Sequence, residues 1–135
     1  MDWLYLIGRI LFSLIFLTSG YAHLTQSGAM SQYAASKSVP APKAATIVSG
    51  LMILAGGLSV LLGVYMEFGT WLIVFFLVPT GFLMHDFWKI QDPGQKGIER
   101  AQFMKNLSMT GAALVFYWLV QTHGYGPFAL GQPIP

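Results

Sequence analysis

Four long apolar segments constrain this sequence more than any other feature. They cover residues 3–22, 44–64, 68–88 and 105–123. A helix of about 20 apolar residues is long enough to cross a hydrocarbon core of ~30 Å, and a backbone in lipid must satisfy its own amides, which favours helices. The sequence therefore predicts an all-α membrane protein. It forms a single domain over residues 1–135, a four-transmembrane-helix bundle with an extended C-terminal tail, 124–135.

Composition excludes most other classes of protein. The 135 residues are 55% hydrophobic and only 9% charged, whereas a soluble domain carries about 25% charged residues. This balance excludes a disordered chain, a soluble nucleic-acid binder and an ordinary cytosolic enzyme. A net charge of +2 is too small for a polyanion-binding surface, so we expect no nucleic-acid partner. The lack of cysteine excludes disulfides, iron–sulfur clusters and thiol catalysis.

The basic residues predict how the bundle is oriented. Six of the seven lie in two connections between apolar segments: Lys37, Lys43, Lys89, Lys96, Arg100 and Lys105. Short loops rich in Lys and Arg stay in the cytoplasm, so both termini are expected on the non-cytoplasmic side of a bacterial cytoplasmic (inner) membrane. We expect the first segment to be retained and not cleaved as a signal peptide, because it starts with Asp2 and contains Arg9.

Both long connections contain segments that favour helix. Residues 30–37 are expected to form a short helix at the membrane surface, ended by Pro40 and Pro42. In the second connection, residues 92–94 read Asp-Pro-Gly, which is a turn signal, and residues 95–100 then favour a helix. These connections leave little chain for any domain outside the membrane.

The first segment carries a polar stripe along one helical face. Spacings of 4, 7, 11 and 14 from Arg9 lead to Ser13, Phe16, Gly20 and His23. A charge at membrane depth costs about 3 kcal/mol and marks a candidate site. Arg9 and Ser13 are therefore candidates for an intramembrane ligand site, where Arg9 would bind a quinone oxygen or a lipid phosphate. In the alternative, structural interpretation, Arg9 reaches the interface or pairs with Glu67 or Asp2 and fixes packing.

Further polar candidates lie at the inner ends of the first and third segments: His23, His85 and Asp86. The two segments run in the same direction, so these residues arrive at the same cytoplasmic boundary. They are candidates for proton handling or for contact with a polar ligand, and the sequence leaves open whether His23 and His85 converge on one site. No second acidic ligand accompanies them, so we expect no metal site and no intrinsic cofactor.

Small residues predict close helix packing, because small faces let helix backbones approach each other in a membrane. In the second segment they recur at intervals of seven, and a shorter version occurs in the fourth segment. The positions expected to pack helices together are Ser49, Gly50, Gly56, Gly57, Gly63 and Gly111.

Several separated motifs resemble the DoxX family of small bacterial membrane proteins. In the first helix they are Gly8-Arg9-Ile10-Leu11, Phe16, Gly20 and His23. The later ones are Ala35-Ser36-Lys37-Ser38-Val39-Pro40-Ala41-Pro42, Gly56-Gly57, His85-Asp86-Phe87-Trp88, and Gln102-Phe103-Met104-Lys105-Asn106-Leu107 leading to Gly111. The resemblance implies a four-helix membrane bundle. Many members have a glutamate near the position of Ile53, so chemistry attributed to that acid is not expected here.

The resemblance also implies a link to membrane redox chemistry, since some members are similar to subunits of a thiosulfate:quinone oxidoreductase. Our first hypothesis is an accessory or structural subunit of a redox or energy-converting complex, not catalytic on its own. It would pack against other membrane subunits or a second copy and against membrane lipid, with quinone or lipid as candidate ligands. One alternative is a quinone-interacting oxidoreductase component that uses Arg9, His23, His85 and Asp86. The other is a small transporter or lipid-handling protein.

Overall fold

The computed structural model describes residues 1–132, and within them the chain consists of helices and connecting turns. The long helices are α1 (Asp2–Thr25), α3 (Pro42–Leu62), α4 (Met66–Met84) and α5 (Pro93–His123). A ten-residue helix, α2 (Ser27–Ser36), joins α1 to α3, and a 3-10 turn, Phe87–Lys89, joins α4 to α5. The expected all-α architecture is confirmed.

Three helical segments are long and apolar enough to cross a membrane: Asp2–Thr25, Pro42–Leu62 and Met66–Lys89. They correspond to the first three predicted spans. The fourth predicted span, residues 105–123, is the second part of α5, which begins at Pro93 and runs for 31 residues. No glycine or proline interrupts residues 98–110, so the helix expected over 95–100 and the fourth apolar segment form one continuous element.

Local sequence signals set the ends of these helices. The Asp92 carboxylate accepts a hydrogen bond from the Gln95 amide at 2.8 Å, and Pro93 takes the first position of α5, as at many helix starts. Gly63 ends α3 with a φ of +66°, a left-handed conformation that favours glycine. The predicted turn at 92–94 is therefore a capped helix start.

The long helices pack in the order α1, α3, α4, α5, with α3 against both α1 and α4, and α5 along α4. The buried hydrophobic core draws on all four and on the tail: Phe16, Ile53, Val60, Met66, Ile73, Val74, Leu77, Ala113, Val120 and Tyr125. α1 and α5 meet through aromatic rings, because Phe116 lies 6.1 Å from Tyr5 and 4.9 Å from Phe12 between ring centroids. These rings join the two outermost helices.

The glycine-lined face of α3 packs against other helices of the same chain. Methyl groups at Gly50 and Gly57 would lie 2.6 and 3.1 Å from side-chain atoms of α1, and one at Gly56 would lie 2.8 Å from Cγ1 of Ile73 in α4. These glycines therefore let both neighbouring helices approach α3 closely. Gly111 is exposed with open space where a Cβ would be, so it does not pack against another helix of this chain.

The C-terminal tail folds back over the bundle. Residues 124–132 form turns, the amides of Leu130 and Gly131 donate to carbonyls at the end of α3 at 2.9 Å, and Tyr125 is buried. The expectation of an extended tail is wrong for this stretch, because its glycines allow turns and its apolar side chains find buried contacts. Residues 133–135 of that prediction lie outside the described residues.

Candidate functional site

A cavity of about 590 Å³ lies at the end of the molecule where α1 and α4 end and α3 begins, and it is also lined by α2 and by the middle turns of α5. We call it the inner cavity. Most of its wall is apolar, including Phe16, Met52, Phe76 and Leu77. The wall also carries a smaller set of polar side chains: Ser19, His23, Tyr33, Thr46, Ser49, Thr80, His85, Gln102, Lys105 and Asn106. An apolar pocket of 300–1,000 Å³ with a few polar groups is typical of sites for small organic ligands.

The His23 ring is held in one orientation by α3. Its Nδ1 lies 3.1 Å from the Thr46 carbonyl oxygen and 3.0 Å from the Ser49 hydroxyl, and the ring packs edge-on against Phe76 with centroids 5.7 Å apart. The close approach depends on Gly50, because a methyl group there would lie 2.6 Å from the His23 Cβ. Ser49, expected to pack helices, instead fixes this imidazole.

His85 is held by a carboxylate from the next helix. Its Nδ1 lies 2.7 Å from Oε2 of Glu99, and both side chains are largely buried, with 20% and 10% of their surface exposed. His85 follows the last turn of α4 and Glu99 lies in the second turn of α5, so the turn between the two helices brings them together. Asn106 lies two helical turns after Glu99 in α5. Its side-chain amide donates to the Leu77 carbonyl at 3.2 Å and fixes α5 against α4 beside the cavity.

Asp86 forms ion pairs with lysine side chains, unlike its neighbour His85. Its carboxylate lies 2.7 Å from Nζ of Lys37 and 3.7 Å from Nζ of Lys89, so it ties the end of α2 to the α4–α5 connection. The hydrogen bond to Asp86 raises the pKa of Lys37. Burial, with the charge of Glu99 second, raises the pKa of Tyr33, whose hydroxyl lies 3.4 Å from the Met84 carbonyl. These contacts join α2 to the α4–α5 connection beside the inner cavity.

Arg9 lies at the opposite end of the bundle, fully buried beneath the tail. Its guanidinium donates to the carbonyls of Phe128 at 3.0 Å and Tyr125 at 3.5 Å. It also lies 5.6 Å from the centroid of the Tyr5 ring. Its acceptors are main-chain carbonyls of the tail, which neither interpretation of the sequence had named. The contacts favour the structural role, in which Arg9 fixes packing.

The polar stripe of α1 is therefore divided between two sites. Arg9 and Ser13 face the tail end, where the Ser13 hydroxyl is buried without a hydrogen-bond partner among residues 1–132. His23 faces the inner cavity, which also includes His85. The structure thus brings the two histidines to one cavity, a question that the sequence left open, and separates both from Arg9 and Ser13.

Sequence reasoning missed Glu99 as a site residue. A signal for it exists: Asp92, which caps the start of α5, lies seven positions after His85 and seven before Glu99. In an antiparallel pair of helices joined by a turn, residues equidistant from the turn lie side by side. Within the described residues, no group of three or more His, Cys, Asp or Glu side chains is placed to hold a metal ion.

The fold and the apolar spans define an integral all-α membrane protein. The profile of the DoxX family matches residues 4–86, and the chain belongs to this family, as its motifs predict. It is 28% identical over 110 residues to the inner membrane protein YqjF of Escherichia coli (strain K12), an alignment that covers 82% of this chain and 78% of that protein. No solved structure matches the chain. The protein is thus a DoxX-family protein of the inner membrane.

Proposed function

We propose that this protein is an accessory subunit of a redox membrane complex and that its inner cavity holds a quinone-class ligand. The observation that carries the proposal is the cavity of about 590 Å³, whose largely apolar wall contains two imidazoles. A quinone has a flat ring with two polar oxygens and an apolar tail, which suits an apolar wall with few polar groups. The ligand class follows from this match.

The accessory role rests on the sequence and on the surface. Without cysteine the chain has no thiolate to bind an iron–sulfur cluster, so electrons would reach a bound quinone from another subunit. The surface outside the inner cavity also carries a glycine with open space beside it, Gly111, flanked on the exposed face of α5 by Leu114 and Val115. This face suits contact with a partner helix.

The proposal includes four spans with both termini on the non-cytoplasmic side. It is supported by α5 lying along α4 and by the basic residues near the inner cavity, which follow the positive-inside pattern. With this orientation the inner cavity lies at the cytoplasmic boundary. A reporter fused to the C-terminus is expected to read as periplasmic, and a cytoplasmic signal would contradict this topology.

Filling the cavity provides the test of ligand binding. Ser19 lines the inner cavity, whereas its neighbour Thr18 is exposed on the outer face of α1. We expect Ser19→Phe to reduce the affinity for decylubiquinone in lipid nanodiscs at least about tenfold, while Thr18→Phe leaves it unchanged. Equal affinity in the two variants would place the ligand elsewhere.

Lipid binding is a second candidate, favoured by one observation. Lys105 lies in the wall of the cavity and is exposed, as expected of a cation that meets a lipid phosphate near the cytoplasmic leaflet. Mass spectrometry of molecules extracted from the purified protein and from Ser19→Phe separates the two candidates. A phospholipid lost in the variant, with no quinone, would favour lipid handling.

A further inference from the structure

The hydrogen bonds of the two cavity histidines determine what a ligand must offer them. Nδ1 of His23 lies 3.1 Å from the Thr46 carbonyl oxygen. A carbonyl oxygen only accepts hydrogen bonds, so Nδ1 carries the proton, and Nε2 of the neutral ring is an acceptor. Nδ1 of His85 lies 2.7 Å from Oε2 of Glu99, and an ionised carboxylate also only accepts. In its neutral form, each ring therefore presents Nε2 as a hydrogen-bond acceptor.

The two Nε2 atoms are within reach of a ligand. Both histidines line the inner cavity, and their hydrogen bonds within residues 1–132 all involve Nδ1. Neither Nε2 is among the polar atoms that are buried without a partner in that part of the chain, so each is accessible. Two imidazoles of the cavity wall therefore have accessible Nε2 atoms that make no hydrogen bond within residues 1–132.

The other polar groups of the wall offer less to distinguish ligands. The exposed Lys105 donates one of its three N–H groups to Gln102, and the Asn106 amide donates to a main-chain carbonyl of α4. The wall also carries five hydroxyl groups. Those of Tyr33, Thr46 and Ser49 donate to main-chain carbonyls. Those of Ser19 and Thr80 can both donate and accept, so they favour neither an acceptor nor a donor ligand. The neutral imidazoles are therefore the wall groups whose free nitrogen accepts a hydrogen bond without also donating one.

We propose that the inner cavity binds the reduced, dihydroxy form of a quinone-class ligand, whose hydroxyl donates to Nε2 of His85, and that Glu99 is the positioning residue that keeps this nitrogen an acceptor. The inference rests on the proposed function and adds the oxidation state of the ligand that is bound. A quinone carbonyl brings an oxygen lone pair to the Nε2 lone pair and gains no hydrogen bond there. The hydroquinone gains one at each acceptor it reaches.

Three probes with the same ring and chain test the oxidation state. Decylubiquinol, decylubiquinone and the dimethyl ether of the quinol are titrated separately against the wild-type chain in lipid nanodiscs at pH 8, anaerobically, with calorimetry as the readout. We expect the quinol to bind about tenfold more tightly than either other probe.

Two variants and one control test the role of the histidine pair. In Glu99→Gln the amide offers Nδ1 of His85 a donor as well as an acceptor, so the ring proton is no longer confined to Nδ1 and can move to Nε2. We expect the preference for quinol over quinone to fall to about threefold or less, with the affinity for the dimethyl ether unchanged. His85→Ala is expected to lose the same preference. His123→Ala, at the opposite end of α5, is expected to keep it.

The outcomes separate this inference from the proposed function. If all three probes bind the wild-type chain equally tightly, the selectivity for the reduced form is overturned while quinone-class binding stands. If none of them binds, both fail. If the quinol preference is present and Glu99→Gln leaves it intact, the positioning role of Glu99 is overturned. The wild-type comparison decides the oxidation state even where a variant fails to fold.

Discussion

Arg9 illustrates how far a single residue can be interpreted from sequence. Its position inside an apolar segment marks it as a charge that needs partners, and that much is visible in the sequence. Its acceptors, the carbonyls of Tyr125 and Phe128, lie 116 and 119 positions away. They depend on the tail folding back, so no local spacing identifies them. The sequence thus indicates that Arg9 needs hydrogen-bond acceptors, and the fold determines which groups these acceptors are.

Replacing Arg9 is expected to release the tail. Arg9→Met removes the donors of two main-chain carbonyls, and hydrogen bonds from charged donors contribute about 2 kcal/mol each. We expect unfolding in detergent to become easier by about 2–4 kcal/mol and amide hydrogen exchange to accelerate across residues 124–132. The control is Arg100→Met on the exposed surface of α5. Equal exchange rates in the two variants would show that Arg9 does not hold the tail.

Tyr125 gives the tail a predictable pH dependence. Burial, with the hydrogen bond to Glu67 second, raises the pKa of Tyr125 from 10.0 to about 12. Because folding favours the protonated phenol, its contribution is complete below about pH 10 and is lost as pH rises towards 12. We expect wild type to exceed Tyr125→Phe in stability by about 1 kcal/mol at neutral pH, with the difference shrinking above pH 10.

Thermal unfolding at a series of pH values provides the measurement for Tyr125. Tyr21→Phe is the control, since Tyr21 is exposed on α1 and its replacement is expected to change little at any pH. A stability difference between wild type and Tyr125→Phe that stays constant from pH 8 to 12 would contradict the assignment.

The helices themselves were the most predictable part of the molecule. The first three predicted spans match α1, α3 and α4 because each is a long apolar run. α3 also has Pro42 at its start and Gly63 at its end. The pairing of His85 with Glu99 was not predicted, since it requires knowing that α4 and α5 form an antiparallel pair about Asp92. The prediction of an extended tail is wrong because glycine and proline content indicates a lack of regular secondary structure. It does not reveal which buried contacts the tail makes.

Two glycines on different helices test the contact between α3 and α4. At Gly56 a methyl group would lie 2.8 Å from Cγ1 of Ile73 and 2.9 Å from the Gly69 carbonyl, so Gly56→Ala is expected to destabilise the protein by about 1–3 kcal/mol. At Gly111 the space is open, so Gly111→Ala is expected to stabilise by up to about 1 kcal/mol through helix propensity. Thermal unfolding in detergent measures both. The same sign for the two variants would contradict the packing of α3.

At the scale of the whole molecule, composition and charge placement predict the class of protein but not its site. Low charge content indicates a membrane bundle, but it gives no information about a cavity inside that bundle. The inner cavity arises because five helices approach one end of the molecule with side chains that do not fill the space between them. That outcome depends on helix positions set by contacts such as Gly50 against His23 and Asn106 against Leu77. The histidines were candidates from the sequence, and their convergence required the fold.

Mapping where a quinone sits is the most direct test of the central claim. A quinone with a photoreactive azide on its ring is cross-linked to the protein in nanodiscs, and the modified peptides are identified by mass spectrometry. We predict adducts on the wall of the inner cavity, within residues 15–23, 75–85 and 102–109, that disappear in Ser19→Phe. Adducts confined to the shallow groove between α3 and α4 beside Tyr65 and Phe68, or unaffected by Ser19→Phe, would contradict the account.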